Sequence, residues 1–116
     1  MKIRIKDNSV RLRLTMSEID KLGNTGEVAS RTEFINQPFV YRILQTDTDG
    51  LIASFVENEI VIGLSANMVR ELVATERIGF EGQSGPVKIL VEKDFACIDN
   101  TVEDQSDNFP NPNLKC

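Results

Sequence analysis

Five cations stand at alternating positions near the start of the chain: Lys2, Arg4 and Lys6, then Arg11 and Arg13. In an extended strand, residues two apart share a face. This spacing therefore gathers like charge on one surface, and the chemistry of such a surface is anion binding, to phosphate, nucleic acid or an acidic polypeptide. A second group lies near the other end, where Glu92, Lys93, Asp94 and Cys97 are followed by Asp107, Phe109 and Pro110. Glu92 and Asp94 share a strand face, and with Asp99, Glu103, Asp104 and Asp107 they offer oxygen donors to a hard cation. No EF-hand spacing is present, and no metal site is assigned. A cysteine becomes a nucleophile when a nearby cation lowers its pKa. The chain contains no histidine, which removes Ser-His and Cys-His relays and imidazole zinc sites. Cys97 is therefore read as a half-buried structural residue and Lys93 as a solvated one. The stretch Gly82-Gln83-Ser84-Gly85 is too short for a phosphate-binding loop and lies between strands. No catalytic residue and no cofactor is expected.

The elements that position these groups follow from periodicity. Residues 2–6 and 9–14 alternate strictly, and Asp7-Asn8 between them tolerates the positive φ angles of a tight hairpin turn. The register pairs Ile5 with Val10 and Ile3 with Leu12 on one face, and Arg4 with Arg11 and Lys2 with Arg13 on the other. Thr15 followed by Glu18 forms a capping box that opens a short helix, with Met16, Ile19 and Leu22 turned inward and Gly23 as its terminator. Strands near 26–34 and 38–45 follow, and Asp47-Thr48-Asp49-Gly50 is a turn.

Beyond that turn the plan repeats at an offset of about fifty residues. Val10 aligns with Ile60, Leu12 with Ile62, Leu14 with Leu64, Thr15 with Ser65, Ile19 with Val69 and Leu22 with Leu72. Strands 51–56 and 59–64 flank Glu57-Asn58. A helix carrying Met68, Val69, Leu72 and Val73 starts at Ser65, and strands near 77–81 and 86–92 flank a loop at 82–86. The expected fold class is α+β: a duplicated ββαββ unit forming a small antiparallel barrel or strongly coiled sheet with two short helices. A closed barrel removes exposed strand edges. Residues 1–98 are expected to form one domain, with pseudo-repeats 1–48 and 49–98, followed by an acidic tail at 99–116 containing Pro and Asn.

Length and composition agree with a single domain: 116 residues, 41% hydrophobic. The start alternates charge with hydrophobe where a signal peptide needs an apolar run, and no stretch reaches the roughly 20 apolar residues that span a bilayer. The two cysteines are too few for a disulfide framework, so the expected compartment is the cytoplasm. The net charge of −5 argues against nonspecific nucleic-acid binding. Residues 1–48 hold eight Lys or Arg against six Asp or Glu, and residues 49–116 hold five against twelve. Asp94, Asp99, Glu103, Asp104 and Asp107 form a run with no intervening cation, which reads as a solvated tail.

The run Asn8-Ser9-Val10-Arg11-Leu12-Arg13-Leu14-Thr15, followed by a short helix and Gly, resembles the strand-to-helix unit of AbrB-type and double-psi barrel proteins. That likeness implies a regulator whose Arg11 and Arg13 contact phosphates. Over nearly its whole length the chain also resembles a family of small uncharacterised bacterial proteins. These begin with a Met-Lys-Ile-Arg-Ile hairpin and finish with Val-Glu-Lys-Asp-Phe, a cysteine and Asp-x-Phe-Pro-Asn-Pro. The resemblance implies a shared fold with no activity to transfer, and it singles out Glu92, Lys93, Asp94, Cys97, Asp107, Phe109 and Pro110. The second copy carries Ile52, Ser54, Val61 and Gly63 where the first carries its cations. The cations are therefore not a demand of the fold. The expected function is a non-enzymatic binding module that meets a protein partner or a second copy through Lys2, Arg4, Lys6, Arg11 and Arg13, with the acidic tail as an internal candidate. The alternative is a small enzyme or metal-dependent factor centred on Glu92, Asp94 and Cys97.

Overall fold

The computed structural model describes residues 1–95. Eight strands and two helices follow in the order β1 (Lys2–Lys6), β2 (Ser9–Leu14), α1 (Met16–Thr25), β3 (Glu27–Glu33), β4 (Pro38–Thr46), β5 (Ile52–Val56), β6 (Glu59–Ser65), α2 (Ala66–Ala74), β7 (Gly79–Ser84) and β8 (Val87–Lys93). The second five elements repeat the type and order of the first five.

The hairpin registers follow from alternation and turn chemistry. Arg4 lies opposite Arg11 and Lys2 opposite Arg13 in β1–β2, and Ser54 lies opposite Val61 in β5–β6. Asp7 takes a φ of 49°, and Glu57 and Asn58 take 51° and 63° at the equivalent turn. These left-handed conformations match the right-handed twist of a two-residue hairpin.

The two halves exchange hairpins. One sheet has the order β1-β2-β8-β7 and the other β3-β4-β6-β5, so each combines the first hairpin of one half with the second hairpin of the other. The central contacts are parallel, β2 with β8 and β4 with β6. The α+β class and the repeated order of elements are as expected, but in place of one small antiparallel barrel or coiled sheet there are two four-stranded mixed sheets, not a closed barrel. The edges β5 and β7 approach each other without pairing. Leu51 is buried against Gly82, where an added Cβ would come 2.8 Å from Leu51 Cδ1. There one side chain bridges to the main chain: Ser84 Oγ accepts from Ala53 N–H at 3.2 Å and donates to its carbonyl at 3.5 Å. Gly82 accordingly lies within β7 rather than in the expected loop, and the turn falls after Ser84, with Gly85 at a φ of 59°.

The core lies between the sheets and under the helices. Leu12, Leu14, Ile43, Ile62, Leu64, Ile89 and Val91 come from the strands, and Ile19, Leu22, Val69 and Leu72 from the helices. Met16 and Val73, expected inward, are exposed. Helix α1 also runs through Gly23 and ends at Gly26, whose φ is 78° and whose N–H donates to the Leu22 carbonyl. Gly23 serves instead as the contact with α2, since a Cβ there would meet Val73 Cγ2 at 2.7 Å.

The capping box forms as expected. Glu18 N–H donates to Thr15 Oγ1, while Thr15 N–H donates to Glu18 Oε1 at 2.8 Å. Glu18 Oε2 also accepts from the α-amino group of Met1. Burial pushes the Glu18 carboxyl up, but the α-amino group and both Thr15 donors outweigh it, and its pKa falls below the ordinary 4.5. A lowered carboxylate stabilises the fold above its unfolded value, and that contribution fades as pH drops through the folded value. The melting-temperature gap between wild type and Glu18→Gln is therefore expected to be full near neutrality and to shrink below about pH 4.5. A gap that stays constant from pH 7 to pH 3 refutes this role.

Candidate functional site

The two central strands of the first sheet bring groups from both ends of the chain onto one outer face. Across β1, β2, β8 and β7, the register aligns Lys2, Arg13, Glu92 and Gly79 in one row and Arg4, Arg11, Leu90 and Glu81 in the next. Lys6, Ser9, Lys88 and Gln83 form the third row. Among the described residues, six cations thus share this face with Glu81, Glu92 and, just past β8, Asp94. The outer face of the second sheet differs in kind. It carries Arg31 and Arg42 against Glu27, Glu33 and Glu59, among Val40, Leu44, Ile52, Val56 and Val61.

All five cations expected to act together are on the first face. Glu92 lies at its centre. Its Oε1 approaches Arg11 Nε at 3.2 Å and Arg13 Nε at 3.6 Å, with the Glu92 side chain 27% exposed and that of Arg11 17%. The Arg11–Glu92 contact is an ion pair rather than an aligned hydrogen bond. A charge so placed offsets the like-charge opposition of Arg4 and Arg11 and of Lys2 and Arg13. Asp94 Oδ2 is 3.1 Å from Lys2 Nζ, and Lys88 Nζ is 2.8 Å from Glu81 Oε1.

The segment Val91-Glu92-Lys93-Asp94 closes this sheet, with one task for each residue. Val91 is fully buried, and Glu92 faces the arginines. Lys93 Nζ points the other way and donates to the Thr75 carbonyl at 2.9 Å, fixing the loop after α2. Asp94 N–H donates to the Leu14 carbonyl at 2.7 Å, which extends the β2–β8 ladder. Lys93 is thus engaged rather than simply solvated. Glu92 and Asp94 address cations of the hairpin, and among the described residues no group of three or more Asp, Glu or Cys is placed to hold a metal ion. Cys97, Asp107, Phe109 and Pro110 lie outside the described residues, as do Asp99, Glu103 and Asp104.

Sequence reasoning missed three features. Lys88 and Glu81 reach the cationic face only because β8 pairs with β2, which no local pattern announces. Arg42 contacts both Glu27 and, at 2.6 Å from its Nε, Glu59 on the second sheet. The third is an apolar groove of about 640 Å³ lined by Phe34, Ile35, Pro38 and Phe39, with Asn36, Gln37 and Asn58 at its polar positions. The adjacent pair Phe34-Ile35 in a β3–β4 connection was its available signal, because loop positions are usually polar.

Among the described residues no helix is long and apolar enough to cross a membrane. A family model described as a family of unknown function (DUF7009) matches residues 1–113, a span that includes both terminal motifs. No curated protein and no solved structure matches the chain.

Proposed function

The chain belongs to that family of unknown function, so kinship supplies no activity, and we propose from its own geometry that it is a binding module for acidic polypeptide segments. The contact surface is the outer face of β1, β2 and β8. One observation carries this reading: among the described residues, six cations meet three carboxylates on that face, an excess of positive charge in a chain that is acidic as a whole. The equivalent face of the second sheet has two cations against three carboxylates, so the same architecture stands without the excess.

An acidic polypeptide suits this face better than a nucleic acid does. Glu81, Glu92 and Asp94 interrupt the cations, which breaks the continuous positive track that a phosphate backbone follows. Side-chain carboxylates on an extended peptide repeat at about 7 Å, the two-residue rise of a strand, and the outward positions of β1 and β2 share that repeat. The chain's own acids at 99, 103, 104 and 107 are an internal candidate occupant, since the polypeptide leaves β8 at Asp94 already beside Lys2. The duplicated architecture, on this view, supplies two equivalent sheets, only one of which acquired the charged surface.

A hexaglutamate peptide titrated into the full chain at low salt provides the test. Binding is expected to weaken steeply as ionic strength rises. The Lys6→Glu, Arg13→Ala double variant is expected to bind at least fivefold more weakly, and Glu92→Gln more tightly. Equal affinity of the double variant and wild type sinks the proposal. So does a duplex DNA probe that outcompetes the peptide at physiological salt.

A further inference from the structure

The apolar groove beside the β3–β4 connection lies on the other sheet and takes no part in the cationic face. We propose that it is the docking site for the chain's own segment Phe109-Pro110-Asn111-Pro112, bound within the same molecule.

The groove has the character of a peptide cleft. Phe34 is 60% exposed, Ile35 is fully exposed, and the Phe39 ring lies 6.5 Å from that of Phe55, tilted by 55°, with Phe55 itself 65% exposed. Large apolar side chains grouped at a rim mark a contact surface rather than scattered surface residues. A volume of 640 Å³ falls within the range of about 300–1,000 Å³ usual for specific clefts. The amides of Asn36, Gln37 and Asn58 can pair with the main chain of an extended occupant. Aromatic-lined grooves of this kind take proline-containing segments, whose fixed φ lowers the entropy lost on docking.

The occupant is identified by where the described chain ends. Asp94 is held by Lys2. Next to Lys2, the Met1 carbonyl accepts a hydrogen bond from Tyr41 Oη at 2.8 Å, and the Tyr41 ring lies 6.1 Å from that of Phe39, a groove residue. The polypeptide therefore departs on the side of the molecule from which the groove is reached through three successive contacts. Phe109 follows Phe95 by fourteen residues, a reach of about 46 Å when extended. Residues 108–114 carry no charge, and Phe109, Pro110, Pro112 and Leu114 are their apolar members. The acidic run that precedes them does not suit an apolar cleft, and Ala96-Cys97-Ile98 lacks both a proline and an aromatic ring, so residues 109–112 match the cleft best.

Two readouts on the full-length chain test the proposal. Amide hydrogen exchange of residues 34–39 is expected to be at least tenfold faster in Phe109→Ala than in wild type, with the exchange of β2 and β6 unchanged. Unchanged exchange at 34–39 overturns the proposal, and so does faster exchange throughout the molecule. In the second readout, Phe109 is replaced by photoreactive benzoylphenylalanine. Cross-links within the monomer to residues 34–39 support docking in cis. Cross-links between molecules, or to other parts of the chain, overturn it.

Discussion

Gly79→Ala is expected to be among the most damaging single-methyl additions this fold can receive, costing about 3 kcal/mol or more. Gly79 opens β7 opposite Glu92. A Cβ at this position would lie 2.3 Å from the Val91 carbonyl oxygen and 2.8 Å from Glu92 Cα. Both are backbone atoms, so no rotamer change relieves the overlap, and the strands must separate. That separation moves Val91, which is fully buried, and Glu92, which faces Arg11 and Arg13. Thermal melts check this: a loss of about 12 °C or more is expected for a domain of this size. Gly50→Ala serves as the comparison. Its site is open, with a φ of 82°, so only the left-handed backbone is penalised, by about 1 kcal/mol. A melting temperature for Gly79→Ala within 2 °C or so of wild type would show that the close approach is not needed.

Leu12→Ala and Ile62→Ala are each expected to cost about 2–5 kcal/mol and to lower one shared transition rather than release half of the molecule. Both side chains are fully buried at equivalent places in the two halves. Leu12 lies between Ile3 and Val91, and Ile62 between Ala53 and Ile43. Each sheet takes one hairpin from each half, so neither half holds a complete sheet by itself. Denaturant unfolding followed by circular dichroism and by a probe on either sheet should give coincident curves. A melt in two steps, with one sheet outlasting the other, contradicts this architecture. Ile5→Ala, at a residue that is half exposed, should cost well under half as much.

The difference between what the sequence revealed and what it hid is itself physical. Strict alternation fixes which side chains share a face, and the Asp7-Asn8 and Glu57-Asn58 turns fix how each hairpin pairs. Hence Arg4 and Arg11, and Leu12 and Ile3, fall where periodicity puts them. Alternation does not choose a strand's second neighbour. Leu12 and Leu14 need an apolar partner, and an antiparallel or a parallel strand satisfies that need equally. The pairing of β2 with β8 was therefore illegible, and with it the place of Lys88 and Glu81 in the cationic face. Gly23 and Gly26 present a related ambiguity. Either can end a helix; the left-handed cap falls at Gly26, and at position 23 the missing side chain leaves room for Val73 of α2. Glu92 and Asp94 were singled out by family likeness, yet their partners became clear only once β8 stood beside β2.

The parallel contact between β2 and β8 also orders events in time. Ser9 pairs with Lys88 and Leu14 with Lys93, so strands near opposite ends of the chain must find each other. Contacts so distant along the sequence are paid for in loop entropy before they return any stability, and they form late. As the chain leaves the ribosome, the first hairpin emerges before β8, with Arg4 facing Arg11 and Lys2 facing Arg13, and without the carboxylate of Glu92. Its inner flank becomes covered only when β8, whose Lys88 lies 79 residues beyond its partner Ser9, has also been made. During that interval the nascent chain presents an open strand edge bordered by cations, whose mutual repulsion guards it against pairing with a neighbouring copy.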